Sequence, residues 1–336
     1  MLTGSRGSGK TTALRQLATP GLPGIVTRAM PGQCVRLLET ATGEQAEIGR
    51  FDPNTSGTEN RMTPVPEGFL RLGIPALHRC TAAESAQIVI DEIGYLEQSC
   101  PEYCRALEQL LAEKQVLCAV RKQNIPFLTG LLHREDAFSV DLDAPFGKLG
   151  CVIMASGLGK RFGGNKLMAD FHGRPMLQRA LDATEGIFAR RVVVTRHTAV
   201  AEYCREQGIA VVLHDLPARS DTVRLGLEAM QDLDGCLFCP GDQPLLQWDT
   251  VASLALCAAM DTGSIWRPRC GDCVGAPMLF PRWTFPELLS LPEGKGGGFV
   301  AKMHPEHLRT LAMDDPRELM DADTPEALRQ LAESME

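Results

Sequence analysis

The chain has no apolar run near the roughly 20 residues needed to cross a bilayer, so no membrane span is expected. It has no low-complexity tract and no internal repeat, which leaves the composition of an ordinary folded protein. A block of like charge is also missing. The 34 basic and 42 acidic residues are interspersed and give a net charge of −8. Nucleic acids select a basic face, so this balance argues against them as partners, while a local cluster of cations still suffices for a small phosphorylated ligand. No leader peptide is expected either, because Met1-Leu2-Thr3 runs straight into a glycine-rich segment. The 12 cysteines are therefore expected as thiols in a reducing compartment, the cytoplasm. What the chain does have is 336 residues, 44% of them apolar and 23% charged, a comfortable length for two domains.

Cys236-x-x-Cys239 and Cys270-x-x-Cys273 mimic a zinc-ribbon spacing. Cys236 to Cys239, however, lies in an apolar run that reads as a buried strand, where residues three apart point to opposite faces. Cys270-Gly271-Asp272-Cys273 reads as a hairpin turn. Core and turn cysteines are expected rather than a zinc site.

Short β-like runs alternate with helical ones. Gly24 to Thr27, Gln87 to Asp91 and Val116 to Val120 read as strands, and Leu107, Leu110 and Leu111 put a helix between the last two, over Tyr103 to Lys114. The pattern restarts at the buried strand Leu149 to Met154. A helix around Pro175 to Thr184, the strand Arg191 to Thr195, a helix over Ala199 to Gln207, the strand Ala210 to Leu213, a helix over Thr222 to Met230 and the strand Cys236 to Cys239 follow. The chain is thus expected to be α/β, with two doubly wound, mainly parallel-sheet domains in tandem over 1–145 and 149–336. Asp141 to Lys148, with Pro145 and Gly147, is the expected linker.

Gly4-Ser5-Arg6-Gly7-Ser8-Gly9-Lys10-Thr11 fits the phosphate-binding pattern G-x-x-x-x-G-K-[ST] without a mismatch. Gly4, Gly7 and Gly9 let the backbone wrap so that its N–H groups point at phosphate oxygens, and the helix starting near Lys10 presents its positive end to the same anion. Lys10 is expected on the β and γ phosphates, Thr11 on Mg²⁺, and Thr12 beside the bound nucleotide. The strand before the loop is only the stub Met1 to Thr3. Downstream, Ile88-Val89-Ile90-Asp91-Glu92 is an apolar strand ending in two acids, the Walker B pattern, with Asp91 for the metal's water shell and Glu92 for the attacking water. A solvated acidic pair at a strand end is the bland alternative. Gly4 to Thr12, Gly24-Ile25-Val26-Thr27-Arg28 and Asp91-Glu92-Ile93-Gly94-Tyr95-Leu96-Glu97 together resemble THEP1-type nucleoside-triphosphatases over most of residues 1 to 145. The resemblance implies a P-loop NTPase fold and hydrolysis of nucleoside triphosphates with weak base preference.

The second glycine-rich loop, Ala155-Ser156-Gly157-Leu158-Gly159-Lys160-Arg161-Phe162-Gly163-Gly164-Asn165-Lys166, has no GK[ST]. Its small residues let a base and triphosphate lie against the backbone, Arg161 can grip phosphate bidentately, and Lys166 acts as a point charge. A plain turn with solvated cations would look similar. Further on, Cys239-Pro240-Gly241-Asp242-Gln243-Pro244 puts Asp242 at the C-terminal end of a buried strand, where open α/β sheets bind ligands and a carboxylate can hold Mg²⁺. A simple turn aspartate is the alternative. With Asp321-Ala322-Asp323-Thr324-Pro325 near the C-terminus, these motifs resemble MobA-like nucleotidyltransferases, most nearly the molybdenum cofactor cytidylyltransferases, from about Leu149 to Leu331. The resemblance implies a Rossmann-like fold in which Ala155, Ser156, Gly157, Gly159, Arg161 and Lys166 bind the nucleotide and Asp242 binds Mg²⁺. It implies catalysis by Arg161 and Lys166 and transfer of CMP from CTP to molybdopterin or its metal-loaded form, with a molybdenum hydroxylase as recipient of the product. A side chain at Ser156 leans towards CTP. A sugar-phosphate acceptor, or a carrier that performs no catalysis, stays open beside this reading.

Overall fold

A computed structural model describes residues 1–30, 32–52 and 62–335. The chain divides into two compact units, Met1–Pro145 and Phe146–Glu336. Among the described residues, no helix is long and apolar enough to cross a membrane.

The first unit holds an eight-stranded sheet. Its strands are β1 (Leu2–Thr3), β2 (Gly24–Met30), β3 (Cys34–Glu39), β4 (Gln45–Phe51), β5 (Met62–Pro64), β6 (Gln87–Ile93), β7 (Gln115–Val120) and β8 (Val140–Asp141). They lie in the order β5-β4-β3-β2-β6-β7-β1-β8. From β2 to β8 every pairing is parallel, as expected of a doubly wound sheet. From β2 to β5 every pairing is antiparallel, a meander that the helix–strand alternation did not reveal. Ile25, Ile48, Leu77, Ile88, Ile90, Leu107 and Leu110 fill the core, with the Phe69 and Tyr103 rings packed 4.7 Å apart. The stub β1 is stabilised on both sides, by Ala119 of β7 and by Val140 and Asp141 of β8. The segment expected as linker therefore starts inside the sheet, since Asp141 pairs with Thr3.

The second unit carries β9 (Leu149–Ala155), the small hairpin β10 (Asp170–Phe171) and β11 (Arg174–Pro175), β12 (Arg190–Thr195), β13 (Ala210–Leu213), β14 (Gly235–Pro240), β15 (Ile265–Cys270), β16 (Cys273–Val274), β17 (Met278–Pro281) and β18 (Leu308–Ala312). Its main sheet runs β13-β12-β9-β14-β17-β15-β16, with β18 beside β15. β13, β12, β9 and β14 are mutually parallel, and β17 is antiparallel to both β14 and β15. Strand β9 explains its own apolar sequence: Cys151, Ile153 and Ala155 enter one core and Val152 the other, so the strand is covered on both faces. Cys236 and Cys239 lie buried on β14, and Cys270 pairs with Cys273 across the β15–β16 hairpin.

Candidate functional sites

In the first unit, β1 feeds directly into the glycine-rich loop, and α1 (Lys10–Leu17) leaves it. Gly7 and Gly9 have φ of 86° and 90°, the left-handed region that wraps the loop and that a side chain would oppose. Lys10 is buried, and its Nζ donates to the carbonyls of Gly4 at 2.9 Å and Ser5 at 3.0 Å. It thus spans the loop, and among the described residues its charge is met by backbone carbonyls and no carboxylate, which suits it to an anion. Thr11 Oγ1 donates to Asp91 Oδ1 at 2.9 Å, so the hydroxyl and carboxylate expected to share a cation adjoin one another. Glu92 follows on the same strand and pairs with Arg121 at 3.4 Å. Thr12 is exposed on α1, and its hydroxyl makes no hydrogen bond among the described residues.

Two further acids line this unit: Glu97, the last residue of the stretch that carried the resemblance, and Asp143, within the expected linker, neither of them expected to take part in the site. Glu97 is 3% exposed, accepts the Gly94 N–H at 2.9 Å, and is pushed up to about 7 by burial. Asp143 accepts from both the N–H and the hydroxyl of Ser5, each at 2.8 Å, and pins the start of the phosphate loop. The Lys122 ammonium at 2.9 Å, with those Ser5 bonds, holds the Asp143 carboxyl at about 2.

In the second unit the loop after β9 and the turn after β14 meet because their strands are neighbours in register, Cys239 beside Ile153 and Pro240 beside Met154. Lys166 is buried, and its Nζ lies 2.5 Å from Asp242 Oδ2 and 2.8 Å from Asp323 Oδ1. Arg161 bonds the other oxygen of Asp323. The Ala322 N–H donates to the Asp242 carbonyl at 2.9 Å, which ties the C-terminal segment to the β14 turn. Burial opposes the Lys166 charge, but the bonds to Asp242 and Asp323 outweigh it and hold its pKa above the ordinary value. Asp323 is held below the usual carboxylate range by the Lys166 bond, despite some burial. Asp321 is raised by burial and by the nearby charge of Asp242, although Gln243 Nε2 donates to it at 3.1 Å.

The structure thus brings Arg161, Lys166 and Asp242 together, with Asp323 between the two cations. Ser156 sits apart from that cluster. Its hydroxyl donates to the Val194 carbonyl at 3.1 Å and lies 2.9 Å from His214 Nε2, which must then carry the proton. Burial lowers the His214 pKa, in keeping with a neutral ring. His197 Nε2 holds the Gly157 carbonyl at 2.8 Å. Gly159, with φ of 58°, is a glycine by necessity: a Cβ there would lie 2.2 Å from the Gly164 carbonyl oxygen. Ala155 is fully buried at the end of β9. Asp323 belongs to the Asp-Ala-Asp-Thr-Pro stretch that carried the resemblance, and that was the available signal for it. Nothing in the sequence marked His214.

Both oxygen-donor sets suit a small hard cation such as Mg²⁺: Thr11 with Asp91 in the first unit, Asp242 with Asp323 in the second. In the second set an ammonium already occupies the point on which the carboxylates converge.

The sequence matches the NTPase family over residues 1–144 and the MobA-like NTP transferase domain family over residues 151–309. The nucleoside-triphosphatase THEP1 of Thermococcus kodakarensis is 31% identical over 143 residues, spanning 37% of this chain and 76% of that protein. Among solved structures, Rv0371c from Mycobacterium tuberculosis H37Rv is 26% identical and covers 56% of this chain and 98% of its own, with a TM-score of 0.50. A nucleotidyl transferase from Methanothermobacter thermautotroptrophicus is 21% identical and covers 56% of this chain and 97% of its own, with a TM-score of 0.49. The chain therefore belongs to the THEP1-type nucleoside-triphosphatases through its first unit, while its second unit is similar to the MobA-like NTP transferase domain over residues 151–309.

Proposed function

We propose that the second unit transfers CMP from CTP to the terminal phosphate of molybdopterin, or of its metal-loaded form, and releases pyrophosphate. An oxygen of the acceptor phosphate forms the new bond to the α phosphorus while the bond to the pyrophosphate oxygen breaks. The acceptor is already anionic, so no protein nucleophile is required. The observation that carries this reading is the bracketing of Lys166 by Asp242 and Asp323, with Arg161 on the far oxygen. Two cations and two carboxylates converge at the C-terminal edge of the β9–β14 pair, an arrangement suited to aligning phosphates and neutralising their charge. Mg²⁺ held by Asp242, with Asp323 beside it, would supply further charge neutralisation on the triphosphate. Ser156, fixed by His214, supports CTP over GTP because a side chain narrows the loop there. Ala155, Gly157 and Gly159 supply close backbone approach.

In the first unit, Gly4, Gly7, Gly9, Lys10, Thr11 and Thr12 bind the nucleoside triphosphate, Asp91 and Thr11 hold Mg²⁺, and Glu92 orients the attacking water. We further infer that residues 1–145 and 149–336 are separate domains of a cytoplasmic enzyme, and that a molybdenum hydroxylase receives the product. The test is a pyrophosphate-release screen of CTP, GTP and ATP against molybdopterin and against sugar phosphates. Release fastest with CTP and molybdopterin supports the reading. Release with a sugar phosphate alone reassigns the acceptor, and tight molybdopterin binding without release under any condition replaces the enzyme with a carrier.

A further inference from the structure

We propose that Arg121 is a catalytic arginine of the first unit, one that binds the γ-phosphoryl group during hydrolysis and holds Glu92 when no nucleotide is present. The inference rests on the hydrolytic reading of that unit and adds a residue that no sequence motif marked. Strand β7 lies between β1, which runs into the phosphate loop, and β6, which carries Asp91 and Glu92. All three strands are parallel, so their C-terminal ends share one edge. Arg121 is the first residue beyond β7 and therefore emerges between the loop and the acidic pair. Its backbone is fixed there, because the Arg121 N–H donates to the Ile93 carbonyl at 2.8 Å.

The side chain is held more loosely. Arg121 Nε lies 3.4 Å from Glu92 Oε1, well beyond the ~2.8 Å of a strong charge-assisted bond. The guanidinium is carried over the Tyr95 ring, 5.7 Å from its centroid, and the Tyr95 hydroxyl accepts the Met62 N–H at 3.1 Å. Glu92 is the one ion-pair partner of Arg121 among the described residues. The arginine side chain keeps 40% of its surface exposed, so most of its donor fork is free for a ligand. Of the neighbouring cations, Lys10 belongs to the phosphate loop itself, and Lys122 is held by Asp141 and Asp143.

A weak pair of this kind is suited to exchange. When the γ-phosphate arrives, its more negative oxygens compete for the guanidinium, and Glu92 Oε1 is released to accept a proton. The water oxygen then bonds to the γ phosphorus as the bond to the β–γ bridging oxygen breaks. The bridging oxygen leaves on the nucleoside diphosphate, and the water proton passes to Glu92 and on to solvent. Arg121 offsets the charge on the transferring group, a role that is worth about 10³-fold or more in kcat where arginines serve it.

The test compares wild type, Arg121→Ala and Arg121→Lys in the full-length protein. Hydrolysis is measured at saturating ATP and GTP, and affinity is measured with a non-hydrolysable triphosphate analogue and with the diphosphate. Arg121→Ala should lower kcat by at least about 100-fold, leave diphosphate affinity within about threefold, and regain activity on addition of guanidinium at low concentration. Arg121→Lys should recover part of the rate, because it returns the charge without the fork. An unchanged kcat in Arg121→Ala overturns the proposal. So does an equal loss of rate and diphosphate affinity with no rescue by guanidinium or by lysine. If wild type hydrolyses no triphosphate, or if Lys10→Ala hydrolyses as well as wild type, the hydrolytic reading falls and this inference with it.

Discussion

Glu97→Gln should remove a pH-dependent weakness of the first unit. The Glu97 carboxyl is 3% exposed, and burial raises its pKa from 4.5 to about 7. Below pH 4.5 the folded and unfolded chains both carry the proton, and the group imposes no penalty. As pH rises, the unfolded chain ionises first while the folded chain retains its proton, so stability falls until the pH passes about 7. A rise of that size corresponds to roughly 3 kcal/mol once complete. Glutamine keeps an oxygen to accept the Gly94 N–H but has no proton to lose. The stability of Glu97→Gln relative to wild type should therefore be ~2–3 kcal/mol more favourable at pH 8 than at pH 5. Protection factors of the slowest-exchanging amides in β6 and β7 measure this directly, and the relative gain should be about 30-fold or more. An equal difference between the two proteins at both pH values would refute the argument, because it would show Glu97 ionising like an exposed carboxyl.

Further outcomes follow from the same geometry. Lys10→Ala should abolish triphosphate hydrolysis, while Glu92→Gln should slow it about 100-fold or more and leave nucleotide affinity within a fewfold, as read by phosphate release and analogue titration. Asp323→Asn should lower nucleotidyl transfer by about two orders of magnitude, since it removes the charge that Lys166 and Arg161 share; pyrophosphate release measures it. A fragment of residues 149–336 should show cooperative thermal unfolding by circular dichroism, and a molten or insoluble fragment would contradict the proposed domain boundary.

The elements that were legible in the sequence are those whose signal is local. β6 and β9 are apolar runs because both their faces are covered, and the two glycine-rich loops show themselves by composition. The meander β3–β4–β5 carried a weaker signal. Ala46 and Ile48 alternate inward with Glu47 between them, and Gly43, with φ of 74°, marks the β3–β4 turn. In β3, however, Glu39 is buried against Arg79 at 2.5 Å, and a buried acid breaks the apolar alternation that identifies a strand. The Walker B pattern ends the strand at the acidic pair Asp91-Glu92, but the strand continues to Ile93, since β7 pairs with it that far.

Within the sites, legibility ended where contacts depend on topology. Lys166 and Asp323 are 157 positions apart, and Ser5 and Asp143 are 138 apart. No periodicity or spacing brings such residues together: Ser5 and Asp143 meet because β1 and β8 are parallel neighbours, and Asp323 reaches Lys166 because the Ala322 N–H bonds the Asp242 carbonyl. His214 reaches Ser156 because β13, β12 and β9 are adjacent, with Thr195 beside both Leu213 and Ala155. Arg121 was hidden for the same reason, as an unremarkable basic residue after a strand until β7 is placed between β1 and β6.

The proposed reaction of the Lys166–Asp242–Asp323 cluster is nucleotidyl transfer, with molybdopterin as acceptor and CTP as donor. The most direct measurement follows the label of α-³²P-CTP in the presence of Mg²⁺ and molybdopterin, in wild type, Asp242→Ala and Lys10→Ala. The label should move onto the acceptor with wild type, fall by at least about 100-fold with Asp242→Ala, and move at the wild-type rate with Lys10→Ala. Label that stays on free nucleotide with wild type, or transfer that survives Asp242→Ala undiminished, would contradict the account.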